Sequence, residues 1–120
     1  MTATIVPTDP EATPPPFLLS IDVPAGRVAI HGDFGREHVD GFLAAVHQLV
    51  GSPAPCLSVD VSAVTFCDAG GLRGLLAAQR LAAQTGRTFR VTRAGRWMRR
   101  LLPMVGLTAF DEPRILSAVP

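Results

Sequence analysis

Cys67 and Arg73 stand at Cys-x5-Arg spacing in the stretch FCDAGGLRG (residues 66–74), where a strand-like run gives way to a helix-like one. Such a spacing can carry thiolate attack on a phosphate ester. A thiolate at a helix N-terminus is stabilised by the helix dipole. Backbone amides there cradle a phosphate, and an arginine grips it bidentately. Three features of the stretch oppose this chemistry. Asp68 sets a negative charge inside the anion cradle. Leu72 falls on the apolar stripe of the following helix, so the helix has begun by then and Arg73 points elsewhere. Gly74 stands where a hydroxyl would assist the thiolate as leaving group. The expectation is a chain that is not an enzyme.

Other chemistries find less support. His31, His38 and His47 are scattered, and His38 and His47 are too far apart on one helix to chelate at i, i+4. Cys56 and Cys67 form no metal-ligand pair; both read as free thiols in apolar surroundings, with a disulfide between them as the alternative. Asp33 and Asp68 could approach each other across strand ends as paired carboxylates, but Asp68 is better read as a helix cap. There is no Ser-His-Asp pattern, phosphate-loop lysine or GxGxxG, and neither a cofactor nor a metal is expected. The basic stretch RTFRVTRAGRWMRR (87–100) reads first as a solvated face whose arginine stems cover the core. An acidic protein partner comes second, and nucleic acid is not expected because the net charge of +1 is too small.

These residues need elements to hold them. FLLSIDV (17–23) and RVAIHG (27–32) are rich in strand formers, and the PAG between them is turn chemistry, so they read as a hairpin. Val39, Phe42, Leu43, Val46 and Val50 recur at helical spacing. CLSVDV (56–61) reads as a buried central strand. A second helix is predicted from about Gly70 to Gln84, with Leu72, Leu75, Leu76, Gln79, Ala82 and Ala83 as its inner stripe. TFRVT (88–92) alternates as a strand does. A third helix is expected to turn Trp97, Met98, Leu101, Leu102 and Val105 toward the core, with Pro103 kinking or ending it. The order β-β-α-β-α-β-α, with room for one last strand, implies an α/β layer structure with parallel crossovers.

The chain has 120 residues, enough for one domain, and 48% of them are apolar. Residues 1–16 hold five of the eleven prolines and read as a flexible tail, leaving 17–120 as the domain. Charge is lopsided: eight arginines and no acid lie between Ala69 and Phe110, whereas residues 1–68 carry eight of the ten acids. The N-terminal stretch has no basic n-region, and no run approaches the ~20 apolar residues of a membrane span. The expected location is the cytoplasm.

The segments DVSAVTFCDAGGL (60–72), VGLTAF (105–110) and HGDFG (31–35) resemble motifs of the STAS domain, of the kind found in bacterial anti-sigma factor antagonists. That family shows D-L-S followed by V-T-F-I-D-S-S-G-L opening a helix, a closing T-G-L-x-x-x-F, and G-E-L-D after the second strand. The likeness covers about residues 17 to 112. It implies a single α/β domain: a mixed sheet of four to five strands with helices packed largely on one face. It also implies binding to a protein kinase that is itself an anti-sigma factor. Phosphorylation of a serine at the helix N-terminus relieves such binding by adding bulk and about −2 charge.

This chain departs from the pattern where the switch should be. The two serines correspond to Ala69 and Gly70, and the position usually phosphorylated falls on Gly70. Neither can take a phosphate. Asp68 and Gly71 are kept, and Gly35 replaces the acid that ends G-E-L-D, with Asp33 nearby. The usual final helix is shortened to RILSAV, leaving an apolar surface open to another chain, so a homo-oligomer is one expectation. Ser62 and Thr65 read as hydrogen-bonding residues, not phosphosites. The resulting expectation is a non-catalytic signalling module that binds an anti-sigma factor or kinase-like protein through Asp68, Ala69, Gly70, Gly71, Arg73 and Asp33, without the serine switch. The alternatives are a STAS scaffold or subunit in a larger regulatory or transport complex, and a small ligand held at the strand C-terminal ends.

Overall fold

The computed structural model describes residues 2–4 and 17–107. In chain order the elements are β1 (Thr2–Thr4), β2 (Phe17–Asp22), β3 (Arg27–Phe34), a 3-10 turn (Arg36–His38), α1 (Val39–Leu49), β4 (Cys56–Cys67), α2 (Ala69–Gln84), β5 (Thr88–Thr92), α3 (Arg96–Leu101) and a second 3-10 turn (Leu102–Val105). One five-stranded sheet takes them in the order β1-β2-β3-β4-β5. The first two pairings are antiparallel and the last two parallel, so the sheet is mixed as expected.

The topology explains why the helices share one face. The β3-α1-β4 and β4-α2-β5 connections are crossovers between parallel strands, and such crossovers are right-handed. Both step across the sheet in the same direction, so α1 and α2 land on the same side. The strands alternate to match. Leu19, Ile21, Val28, Ile30, Leu57, Val59, Val61, Phe89 and Val91 point into the helical layer and are buried. Ser20, Asp22, Ala29, Ser58, Asp60 and Thr92, at the alternate positions, are half-buried on the opposite face. From the helices, Phe42, Ala45, Val46, Leu49, Leu72, Leu75, Ala78 and Ala82 close the core.

Several expectations need correction. Thr2–Thr4, read as part of a flexible tail, pairs with β2, with Ala3 opposite Ile21. Residues 5–16 and 108–120, including the end of GLTAF and all of RILSAV, lie outside the described residues. The central strand is twice the predicted length because β4 stays paired with β3 through two register shifts, between Ala29 and His31 and between Gly32 and Asp33. Bulges break strict alternation, so the period-2 signal stops at Val61 although the strand does not. On α2, Ala78 is buried and Ala83 exposed, because the face toward the sheet is set by Gly71, Leu72, Leu75, Ala78 and Ala82. Trp97 does not turn to the core: it is 43% exposed, and Met98 and Leu102 fill the inner positions of α3 and its continuation. The α-helix ends at Leu101, with Pro103 inside the 3-10 turn that follows. A proline ring cannot sit within a continuing α-helix, because it lacks the N–H and clashes with the preceding turn.

Arg87 shows that part of the basic stretch is structural. Its guanidinium donates to the carbonyls of Ser52 (2.6 Å), Ala54 (3.2 Å) and Thr85 (3.3 Å), tying the α1–β4 loop to the end of α2.

Candidate functional site

The site candidate is the corner where β3 enters α1 and β4 enters α2. Parallel pairing carries β3 and β4 to the same end of the sheet, with Phe34 in register with Cys67. The two loops that follow are therefore neighbours. Asp68 joins them. Its backbone is extended at the N-cap of α2, and Oδ1 accepts from the Gly71 N–H at 2.8 Å. Oδ2 accepts from the Arg36 N–H at 3.2 Å, in the first 3-10 turn. The Gly71 hydrogen bond, with those from Arg36 and Gly70 and the Arg36 charge, holds the Asp68 carboxyl below its ordinary range. It is a capping carboxylate, as its position before a helical run suggested.

The glycines are there because the loops touch. A Cβ on Gly71 would strike the Phe34 carbonyl oxygen and lie 3.0 Å from Cys67 Sγ. A Cβ on Gly70 would lie 2.6 Å from Arg36 Cβ and 3.1 Å from Arg36 Cα. The place where the family pattern puts a serine is thus filled by the Arg36 backbone and stem. Two residues along from Asp33, a Cβ on Gly35 would lie 3.3 Å from Asp68 Oδ2 and 2.7 Å from Glu37 Oε1.

Cys67 and Arg73 are not arranged for phosphate chemistry. Cys67 is buried, and its Sγ donates to the Asp68 carbonyl at 3.6 Å. Burial, with the Asp68 charge second, pushes its thiol up to about 12, so it is protonated at neutral pH. Arg73 stands exposed on the outer side of α2, where it lines an open depression with Arg36, Asp40, Gly70 and Ala77. The thiol faces inward and the guanidinium outward.

The corner thus brings together Asp68, Ala69, Gly70, Gly71 and Arg73. Asp33 is half-buried on β3 in register with Phe66, and among the described residues no hydrogen bond joins it to Asp68. Of the histidines, His38 is stacked on Phe17 with ring centroids 4.3 Å apart, His31 is half-buried on β3 and His47 is exposed on α1. Both cysteines are free, and among the described residues no group of His, Cys, Asp and Glu is placed to hold a metal ion. Among the described residues the strand order carries no reversal, the feature at which doubly wound sheets open a ligand crevice. Arg36 is the corner residue the sequence did not single out. Its hydrogen bond to Asp68 comes from a backbone N–H, which leaves no mark on residue type; the pointer was its place after HGDFG.

A family model described as Mlab, STAS domain, matches residues 17–116. Solved structures share the fold. An anti-sigma factor antagonist from Mycobacterium paratuberculosis is 22% identical, with 99% of this chain and 92% of that one covered and a TM-score of 0.62. The Bacillus cell fate determinant SpoIIAA, in its phosphorylated form, is 18% identical over 86% of this chain and 96% of its own, with a TM-score of 0.61. A variant of RsbS from Moorella thermoacetica is 24% identical over 73% of this chain and 79% of its own, with a TM-score of 0.60. Among curated protein sequences none matches.

Proposed function

The chain belongs to the STAS domain family, and from that premise we propose that it is a non-catalytic, cytoplasmic binding module that engages an anti-sigma factor or kinase-like protein through the Asp68–Arg73 corner, with no phosphorylation switch. One observation carries the reading. At the N-terminus of α2, Asp68 already spans the Arg36 and Gly71 amides, and Arg36 occupies the space a Gly70 side chain would need. No hydroxyl stands between Asp68 and Arg73. Bulk and charge cannot be added there by a kinase, so binding at this corner is constitutive.

The test is capture of purified histidine-kinase-like ATPases by the wild-type chain, with and without ATP. Retention that ATP leaves unchanged is the expected result. If the wild type captures no such ATPase, the antagonist reading fails. The same hydroxyl-free corner favours a second reading, a permanent subunit of a larger regulatory or transport assembly. A monomer in light scattering with no partner recovered from lysate counts against it.

A further inference from the structure

The outward side of α3 has a composition that the core does not account for. Met98 and Leu102, four residues apart, face inward and are buried. On the other side Trp97 is 43% exposed and Met104, in the 3-10 turn that continues the helix, is 76% exposed. Arg96 and Arg100 are exposed beside them, one helical turn apart. Among the described residues neither arginine has a hydrogen-bond or ion-pair partner. Arg93, just before the helix, has a side chain 71% exposed and, among the described residues, pairs with Asp60 at 3.5 Å. The sequence provides no acid between Ala69 and Phe110 to balance this group.

We propose that Trp97, Met104, Arg96 and Arg100 form a second docking surface, separate from the α2 corner, for an acidic and partly apolar segment of a partner protein. Tryptophan, methionine and arginine are the residues enriched at protein interfaces, and tryptophan and arginine are the usual energetic anchors. The guanidiniums supply paired donors that match carboxylates in geometry as well as charge. A membrane surface fits less well. An interfacial helix inserts a whole apolar face, and here that face is spent on the core, which leaves two apolar side chains to insert. A nucleic acid fits less well again, because phosphate tracking draws on many cations and this chain has a net charge of +1.

Trp97 is the only tryptophan in the chain, so its emission reports on this surface directly. The test titrates the full-length protein with a short synthetic peptide rich in Glu, Leu and Phe. Controls are the same peptide with every Glu replaced by Gln, phosphatidylglycerol vesicles, and single-stranded oligothymidine. The acidic peptide is expected to give a saturable blue shift that weakens with added salt, and the controls much smaller changes. The double variant Arg96→Glu, Arg100→Glu should bind about a hundredfold more weakly, through loss of two charge-assisted hydrogen bonds. Arg73→Ala, at the other surface, should leave binding unchanged. No shift with the acidic peptide overturns the proposal, as does a stronger response to vesicles or oligothymidine, or equal weakening by Arg73→Ala. Tighter peptide binding by the Asp111→Asn, Glu112→Gln chain would assign the surface to the chain's own acids and overturn it too.

Discussion

Replacing Asp68 by alanine removes the hydrogen bonds that its carboxylate accepts from the first turn of α2 and from the Arg36 amide after β3. The 2.8 Å bond to the Gly71 amide caps α2, a helix of 16 residues, and loss of an N-cap side chain costs about 1 kcal/mol. The 3.2 Å bond to the Arg36 amide is longer and sits at the surface, so about 0.5–1 kcal/mol is appropriate. The sum is about 1.5–2 kcal/mol, or a fall in Tm on the order of 10 °C for a domain of this size. Asp68→Asn separates the two contributions. An amide side chain still caps, but it offers one oxygen where the carboxylate offers two, so it should lose about half as much. Urea unfolding followed by far-UV circular dichroism at neutral pH measures both variants. The wild-type advantage also has a definite pH dependence. The folded carboxyl titrates below its unfolded value of about 3.9, so the stabilisation is whole above that value and is lost as pH falls through the lower, folded one. An alanine variant within 0.5 kcal/mol of wild type would refute the bridging role, as would an asparagine variant as unstable as the alanine one.

Gly71→Ala drives a methyl group into the Phe34 carbonyl and should destabilise by about 1–3 kcal/mol, the usual range for overpacking; calorimetry checks this. Because the Cys67 thiol stays protonated up to about 12 in the folded chain against an ordinary 9.0, the native state holds a proton the unfolded chain has released between those values. Stability should therefore fall as pH rises above about 9, and Cys67→Ala should flatten that slope in denaturant titrations. The same thiol should resist alkylation at pH 8 until urea unfolds the chain, and any aryl phosphate turnover that vanished in Cys67→Ser would contradict its assignment as inert. Arg87→Met strips three carbonyls of their donor and should cost about 2 kcal/mol in urea unfolding.

Much of this architecture could be read from residue types because apolar spacing changes period where the elements change. Phe42 and Val46 mark α1, Leu57 and Val59 mark β4, and Leu72 and Leu75 mark α2. Asp68 was readable as a cap from its place before a helical run. What was not readable depended on contacts that residue type does not encode. Alanines on both sides of α2 give a weak stripe, so the spacing put Ala83 on the inner face and passed over Ala78, which is the one buried. In a helix as short as α3 the apolar residues fit more than one rotation, and Trp97 was placed on the wrong side. The Arg36 amide and the Arg87 guanidinium both act on backbone groups of distant segments, which only the folded register brings near. The shared end of β3 and β4 follows from parallel pairing, but the bulges that align Phe34 with Cys67 had no signature beyond the broken alternation.

The unbroken strand order has a bearing on how the chain is made. Each strand lies beside the one synthesised just before it, from β1 through β5. No gap has to be held open for a later arrival. As the polypeptide leaves the ribosome, the sheet can grow along a single advancing margin. Each crossover helix then arrives in time to cover the strand just added, so apolar surface is left bare only briefly.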